Sequence, residues 1–259
     1  MGIRESYTPG TFSWTDLATT DQEGAKAFYA ALFGWEAEDM PVGEGTVYSM
    51  MRRDGKNVAA IAPQPQQQRD AGVPPLWQSY VSVESADATA DLVKEHGGTV
   101  HAGPFDVLEA GRMAVIQDPH GAFFMIWEAG RHFGAALVNA PGALAWNELS
   151  TPDFDAAATF YGAVFGWTTT AFEGSPDPYR VIMNGERSNG GMRPQSSSGA
   201  PPHWLVYFGV ENLDAALEQV EQLGGTRHAG PIDIGVARIA VVADPQGATF
   251  AIYDGTFED

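Results

Sequence analysis

The chain has no cysteine among its 259 residues. That excludes disulfides, thiolate metal sites and cysteine nucleophiles. Basic residues are scarce, 14 Lys and Arg against 33 Asp and Glu, for a formal charge of −19. A surface of that sign repels phosphate backbones and anionic lipid, so nucleic acid and membrane are set aside as partners. Long apolar runs are missing too, and none approaches the ~20 residues that span a bilayer. The opening stretch "MGIRESYTPGTFSW" has no apolar segment of the kind a secretory leader carries, so the expected location is cytoplasmic. No Walker loop, no G-x-G-x-x-G after a strand and no G-x-S-x-G elbow is present, which removes nucleotide-dependent and serine-hydrolase readings.

What the chain does have is a duplication. "FSWTDLATTDQEGAKAFYAALFGW" (12–35) matches "LAWNELSTPDFDAAATFYGAVFGW" (144–167) without a gap. "GGTVHAGPFDV" (97–107) answers "GGTRHAGPIDI" (224–234), and "AVIQDPHGAFFMIWE" (114–128) answers "AVVADPQGATFAIYD" (240–254). A repeat this long is a doubled domain and not a solenoid. The expected domains are 8–134 and 140–257, joined by the Gly- and Pro-containing "GRHFGAALVNAPG".

Each half reads as two β-α-β-β-β units, an α+β fold with four such units in the chain. In the first unit a strand (12–18) leads to a helix near 22–33, capped by Asp21 and closed by Gly34. Ala25, Phe28, Tyr29, Leu32 and Phe33 form its apolar stripe. Strands are expected at 46–52 and 57–62, followed by the loop "PQPQQQRDAGVPP". The second unit has a strand (77–83), a helix capped by Ser85, strands at 105–108 and 112–117, a turn at "DPHG" and a last strand at 122–128. The "DP-x-G" stretches have turn chemistry of their own and call for no further role.

The pattern L-x-x-x-D-x6-FY-x3-FGW opening each half, with DP-x-G-x-x-F closing it, resembles the vicinal oxygen chelate superfamily. That superfamily includes glyoxalase I, bleomycin-resistance proteins and extradiol dioxygenases. The paired domains look most like an actinobacterial group labelled glyoxalase-like or hydroxylase. The resemblance covers essentially the whole chain. It implies that each pair of units rolls into a cup-shaped mixed sheet with helices outside and the ligand within.

The resemblance also implies metal-ligand positions, on the first and last strands of each unit. Here they fall on Trp14 and Trp146, near Ala60 and Gly191, on Gln78 and Leu205, and on Met125 and Ala251. Only Gln78 offers a donor to a hard divalent ion, which wants several oxygen or imidazole ligands. The expectation is therefore no metal and no cofactor, unless the register is off by one residue and turns every position to the other face.

Strand alternation places Asp16 beside Trp14 and Glu148 beside Trp146. It also adds Tyr80, Phe123, Trp127, Tyr207 and Tyr253 to the cups. Such cups suit a flat or partly apolar organic ligand. Asp16 and Glu148 are the candidate acid/base groups, since burial beside an indole raises a carboxyl pKa. Arg112 and Arg238 are candidates for facing an anionic ligand group or pairing with an acid. His101 and His228 recur in "HAGP", a strand–turn boundary where His bonds backbone more often than it catalyses. The expected function is small-molecule binding of the bleomycin-resistance type, holding an aromatic or antibiotic-like metabolite. An enzyme of the same superfamily is the alternative: a lyase, isomerase, dioxygenase or hydroxylase that uses the cup carboxylates or a metal. Two domains in one chain fit either a monomer or a homodimer.

Overall fold

The structure, a computed structural model, describes residues 2–43, 45–173, 177–195 and 199–256. The first half runs β1 (Gly2–Ile3), β2 (Phe12–Thr19), α1 (Gln22–Phe33), β3 (Glu36–Gly43), β4 (Thr46–Arg53), β5 (Lys56–Pro63) and α2 (Gln66–Asp70). It continues with β6 (Leu76–Val83), α3 (Ala86–Glu95), β7 (Thr99–Val107), β8 (Gly111–Gln117) and β9 (Phe123–Ala129). The second half runs β10 (Leu137–Val138), β11 (Leu144–Thr151), α4 (Phe154–Phe165), β12 (Thr168–Ala171), β13 (Arg180–Asn184) and β14 (Arg187–Pro194). It ends with β15 (His203–Gly209), α5 (Leu213–Gln222), β16 (Thr226–Asp233), β17 (Ala237–Ala243) and β18 (Thr249–Gly255).

Each half forms one curled mixed sheet. The first has the order β3-β4-β5-β2-β6-β9-β8-β7, and the second β12-β13-β14-β11-β15-β18-β17-β16. In each, the two units meet through an antiparallel pair of first strands, β2 with β6 and β11 with β15. The short β1 pairs with β10, which lies beside β11, so the first residues of the chain join the second half's sheet.

The helix ends follow the local chemistry. Asp21 accepts from the Gly24 N–H at the start of α1, and Gly34 ends the helix at φ 69°. Asp153 and Gly166 (φ 73°) do the same for α4. Those left-handed positions favour glycine because it has no Cβ to clash.

The sequence pattern missed some elements. It gave two strands after the first helix where the structure has three. The extra one, β3, is an exposed edge strand reading "EAEDMPVG", with no apolar alternation to betray it. Strand β7 extends back through "HAGP", where Gly-Pro reads as a turn. It is an edge strand with bulges, a setting that tolerates proline. The Gln- and Pro-rich loop contains the one-turn helix α2.

The repeated "FY…FGW" helix end proves to be the joint between the halves. The Tyr29 hydroxyl accepts from Trp77 Nε1 at 2.9 Å and donates to Asp244 Oδ2 of the other half at 3.1 Å. Its counterpart Tyr161 accepts from Trp204 Nε1 at 3.0 Å and donates to Asp118 Oδ2 at 2.9 Å. The two tryptophans of "FGW" also cross over. Trp35 Nε1 donates to the Gly142 carbonyl and Trp167 Nε1 to the Gly10 carbonyl, both at 2.7 Å. Phe33 packs on Phe208 of the opposite sheet and Phe165 on Phe124, at centroid separations of 5.2 and 5.8 Å. These rings lie on the side of each sheet that faces the other half, all of them buried except the half-buried Phe165. Asp118 and Asp244 also hold their own turns, accepting from the N–H groups of His120 and Ala122 and of Gln246 and Ala248. The turns thus carry a second role, across the joint, that turn chemistry alone did not suggest.

Candidate functional site

With one side of each sheet committed to the joint, strand alternation turns the neighbouring residues into the cup. Trp77 bonds Tyr29 at the joint, while Gln78 beside it points the other way. Asp16 on β2 lies opposite Ala60 on β5 and Gln78 on β6. Trp14 lies opposite Tyr80, which lies opposite Met125 on β9. These side chains converge on Asp16. Its Oδ1 accepts from Gln78 Nε2 at 2.8 Å, and its Oδ2 accepts from Tyr80 Oη at 2.8 Å and Tyr48 Oη at 3.1 Å. Trp14 Nε1 in turn donates to Tyr48 Oη at 3.0 Å. Trp127 donates to the His132 carbonyl at 2.8 Å. The His132 imidazole sits edge-on to Trp14 at 4.5 Å and to Trp127 at 5.9 Å.

The second cup repeats the arrangement. Glu148 lies opposite Gly191 and Leu205, Trp146 opposite Tyr207, and Tyr207 opposite Ala251. The Tyr179 and Tyr207 hydroxyls bond Glu148, and Trp146 Nε1 donates to Tyr179 Oη at 2.9 Å. Both cups therefore hold a carboxylate gripped by two phenols, one of which also accepts from an indole. They differ in the fourth partner. The first has Gln78; the second has Leu205 in its place and Arg193 Nη1 at 3.7 Å from Glu148 Oε1. They differ in enclosure too. Trp14, Tyr80, Met125 and Trp127 are buried, whereas Trp146, Tyr179 and Tyr253 are half-exposed.

Burial dominates the electrostatics. Desolvation pushes the Asp16 carboxyl above the usual carboxylate range, and the bonds from Tyr80, Tyr48 and Gln78 pull back against it. Desolvation likewise raises Glu148, opposed by Arg193 and by the bonds from Tyr207 and Tyr179. Tyr48, Tyr80 and Tyr207 rise well above an ordinary phenol, first through burial and then through the carboxylate beside each. Burial alone draws the His132 imidazole down to about 4, so at neutral pH it is uncharged. Each phenol hydrogen is committed to its carboxylate, and both Asp16 oxygens already accept, so the cluster presents an incoming ligand with a solvated anion and little spare hydrogen-bonding capacity.

The structure brings Trp14, Asp16, Gln78, Tyr80, Met125 and Trp127 together in one cup. It brings Trp146, Glu148, Leu205, Tyr207, Ala251 and Tyr253 together in the other. Two residues assigned to the pocket lie elsewhere, and a third stands at its exposed rim. Arg112 pairs with Asp87 at the start of α3 and with Asp106, and Arg238 pairs with Asp214 at the start of α5. Arg112 and Arg238 sit beside the cup-facing Met113 and Ile239 in their strands, and alternation sends their side chains to the helix side. Phe123, at the first position of β9, is 43% exposed and lies against the His101 ring at 4.8 Å, tilted by 43°. His101 bonds Gln117 on the exposed edge, and His228 is exposed on the matching edge.

Four residues of the cups were not picked out from the sequence: Tyr48, Tyr179, His132 and Arg193. For the tyrosines a signal was there. "YSMMRRDG" and "YRVIMNG" each place a Tyr one strand length before a two-residue turn. The His132 position has no such mark, because it lies in the connecting segment.

The residues at the implied metal positions do not fit a divalent ion. Among the described residues, no three His, Asp or Glu side chains converge as a ligand set would. Gln78 already donates its amide to Asp16, and both Asp16 oxygens are engaged by neutral donors. At Gly191 a Cβ would lie 1.9 Å from Tyr179 Oη, so the phenol occupies the space a ligand side chain would need.

Comparison with known proteins agrees with this architecture. Residues 11–126 match the family described as Glyoxalase/Bleomycin resistance protein/Dioxygenase superfamily, and residues 146–253 match the glyoxalase-like domain. "Putative glyoxylase CFP32" of Mycobacterium tuberculosis (strain CDC 1551 / Oshkosh) is 46% identical over 255 residues, covering 97% of both chains. The anthracycline biosynthesis protein DauV of Streptomyces sp. (strain C5) is 35% identical over 261 residues, covering 96% of this chain and 94% of DauV. Among solved structures, the Mn(II)-bound glyoxalase from Novosphingobium aromaticivorans superposes with a TM-score of 0.63 at 16% identity, over 97% of this chain and 85% of that one. The 2,2',3-trihydroxybiphenyl 1,2-dioxygenase of Sphingomonas wittichii strain RW1 gives 0.66 at 13% identity, over 96% and 92%. At such identities the structures speak for the fold, while the relatives that match from end to end carry the family. The chain belongs to the glyoxalase/bleomycin resistance protein/dioxygenase superfamily.

Proposed function

We propose that this protein binds a small molecule, an aromatic or antibiotic-like metabolite, in its cups without a resident metal. The observation that carries the reading is the carboxylate–phenol–phenol–indole cluster, built twice at the places where the superfamily's metal ligands are expected. Apolar rings around a few placed polar groups suit recognition of a flat molecule by stacking and area burial. The second cup is the more open one. The name of DauV adds support, since it ties that relative to the making of anthracyclines, which are fused-ring aromatic compounds.

A second reading, enzymatic proton transfer by Asp16 or Glu148, is favoured by one feature: both carboxyls are buried and raised toward a working range. One experiment separates the two. The protein is incubated with a panel of hydroxylated anthraquinones, following the thermal midpoint and tryptophan fluorescence for binding and the panel compounds by mass spectrometry for turnover. Binding without chemical change supports the binding reading, conversion that fails in Asp16→Asn or Glu148→Gln supports the enzyme, and neither result refutes both. Dialysis against a chelator should leave the thermal midpoint unmoved. A large drop, reversed by a divalent ion, would count against the metal-free reading.

A further inference from the structure

Deepening that reading, we infer that the first cup takes an organic cation, a protonated or quaternary ammonium group, with Asp16 as its counter-ion and Trp14, Tyr80 and Trp127 as its walls. The inference rests on the cup being a ligand site, and it starts from a charge imbalance between the two cups. Glu148 has Arg193 at 3.7 Å. Asp16 is as deeply buried, yet its three hydrogen bonds come from Gln78, Tyr48 and Tyr80, all neutral. Among the described residues no Lys, Arg or His forms an ion pair with it. Neutral donors solvate a carboxylate but leave its charge uncancelled, and a buried uncancelled charge is costly. Two species can cancel it, a proton or a cation brought by a ligand.

The walls favour the cation. Trp14 and Trp127 are indoles, whose faces attract cations more strongly than other aromatic rings. Tyr80 adds a ring set edge-to-face with Trp127 at 6.4 Å. Aromatic rings around an anion form the arrangement by which quaternary ammonium groups are recognised.

What lies against those rings now is the neutral imidazole of His132, on the segment joining the halves. Its Nε2 is buried without a hydrogen-bond partner. Moving that ring into water would satisfy the stranded nitrogen, which offsets part of the cost of displacing it. His132 is thus a plug that a ligand replaces. The net charge of −19 draws cations toward the molecule from a distance.

The test uses the whole chain and a matched pair of probes: benzyltrimethylammonium and neopentylbenzene, which have the same shape and differ by one charge. Tryptophan fluorescence and calorimetry report binding. The expected result is saturable binding of the cation at least about tenfold tighter than of the hydrocarbon, a gap that a desolvated cation–π contact beside a carboxylate supplies. Asp16→Asn should erase that preference, while Glu84→Gln, an exposed acid removed as a charge control, should keep it. His132→Ala should tighten cation binding severalfold, and this variant tests the idea even where Asp16→Asn fails to fold. Equal affinity for the two probes, or a preference that survives Asp16→Asn, would overturn the inference while leaving the broader aromatic-ligand reading standing. Absence of binding by either probe, in the wild type and in His132→Ala, would overturn the inference, whereas binding of the anthraquinone panel alone would preserve the broader reading.

Discussion

Tyr29 and Asp244 belong to opposite halves of the chain, yet the phenol of one donates to the carboxylate of the other across 3.1 Å in the buried joint. Tyr161 and Asp118 repeat the contact at 2.9 Å. The duplicated helix end is therefore a reciprocal clamp. Each half supplies the phenol that bonds the second oxygen of the other half's turn carboxylate, so those two carboxylates are fully bonded only when the halves meet.

Tyr29→Phe removes the hydroxyl and leaves the Asp244 oxygen and the Trp77 indole N–H without that partner. Stranding buried polar groups costs about 1–3 kcal/mol, so a loss of that size is expected from chemical denaturation. Tyr161→Phe should cost a similar amount, and the double variant should sum the two because the clamps share no residue. Losses near zero for both would show that the clamp contributes little.

The Asp16 carboxyl has its pKa raised by burial above its unfolded value near 3.8. A raised carboxyl contributes stability below the unfolded value, and that contribution is lost as pH rises through the folded value. Wild type should therefore lose stability relative to Asp16→Asn between pH 4 and pH 7. Thermal midpoints of both proteins at the two pH values check this, and a constant difference would contradict it.

For His132 the sign reverses. Its imidazole falls from 6.5 to about 4 on burial, so its contribution is present above 6.5 and drains away as pH falls toward 4. The loss is at most roughly 3 kcal/mol. His132→Phe should flatten that part of the stability–pH curve, and a curve that keeps its full slope would place the titration in another group.

Gly191→Ala would put a Cβ 1.9 Å from Tyr179 Oη, on the partner of Glu148. Tyr179 must then move and release the carboxylate. The expected cost is about 1–3 kcal/mol, as for other overpacked sites. Trp146, which donates to Tyr179, should report the change in its fluorescence.

How far the site could be read in advance depended on the kind of signal. Trp14, Asp16, Gln78 and Tyr80 were legible because strand alternation has a fixed period, and one correct residue places its neighbours. Arg112 and Arg238 were read from their recurrence and not from alternation, and of the two roles expected for them the structure shows the pairing with an acid, on the helix side against Asp87 and Asp214. Tyr48 and Tyr179 reach their carboxylates from strands two places across the sheet, β4 and the stretch leading into β13, beyond any local period.

The doubling of the domain, the helix ends and the order of most strands were legible in the chain before any fold was seen. Those depend on local periodicity, caps and turn residues, which are written within a few positions of one another. It took the assembled fold to show that the recurring Phe, Tyr and Trp of the helix end face the opposite half, and that the phenols of Tyr48 and Tyr179 stand at the carboxylates. Such contacts join residues 31 to 215 positions apart. Which side chains meet at that range is settled by sheet register and by the need to satisfy buried polar groups, and neither is expressed in any short stretch of chain.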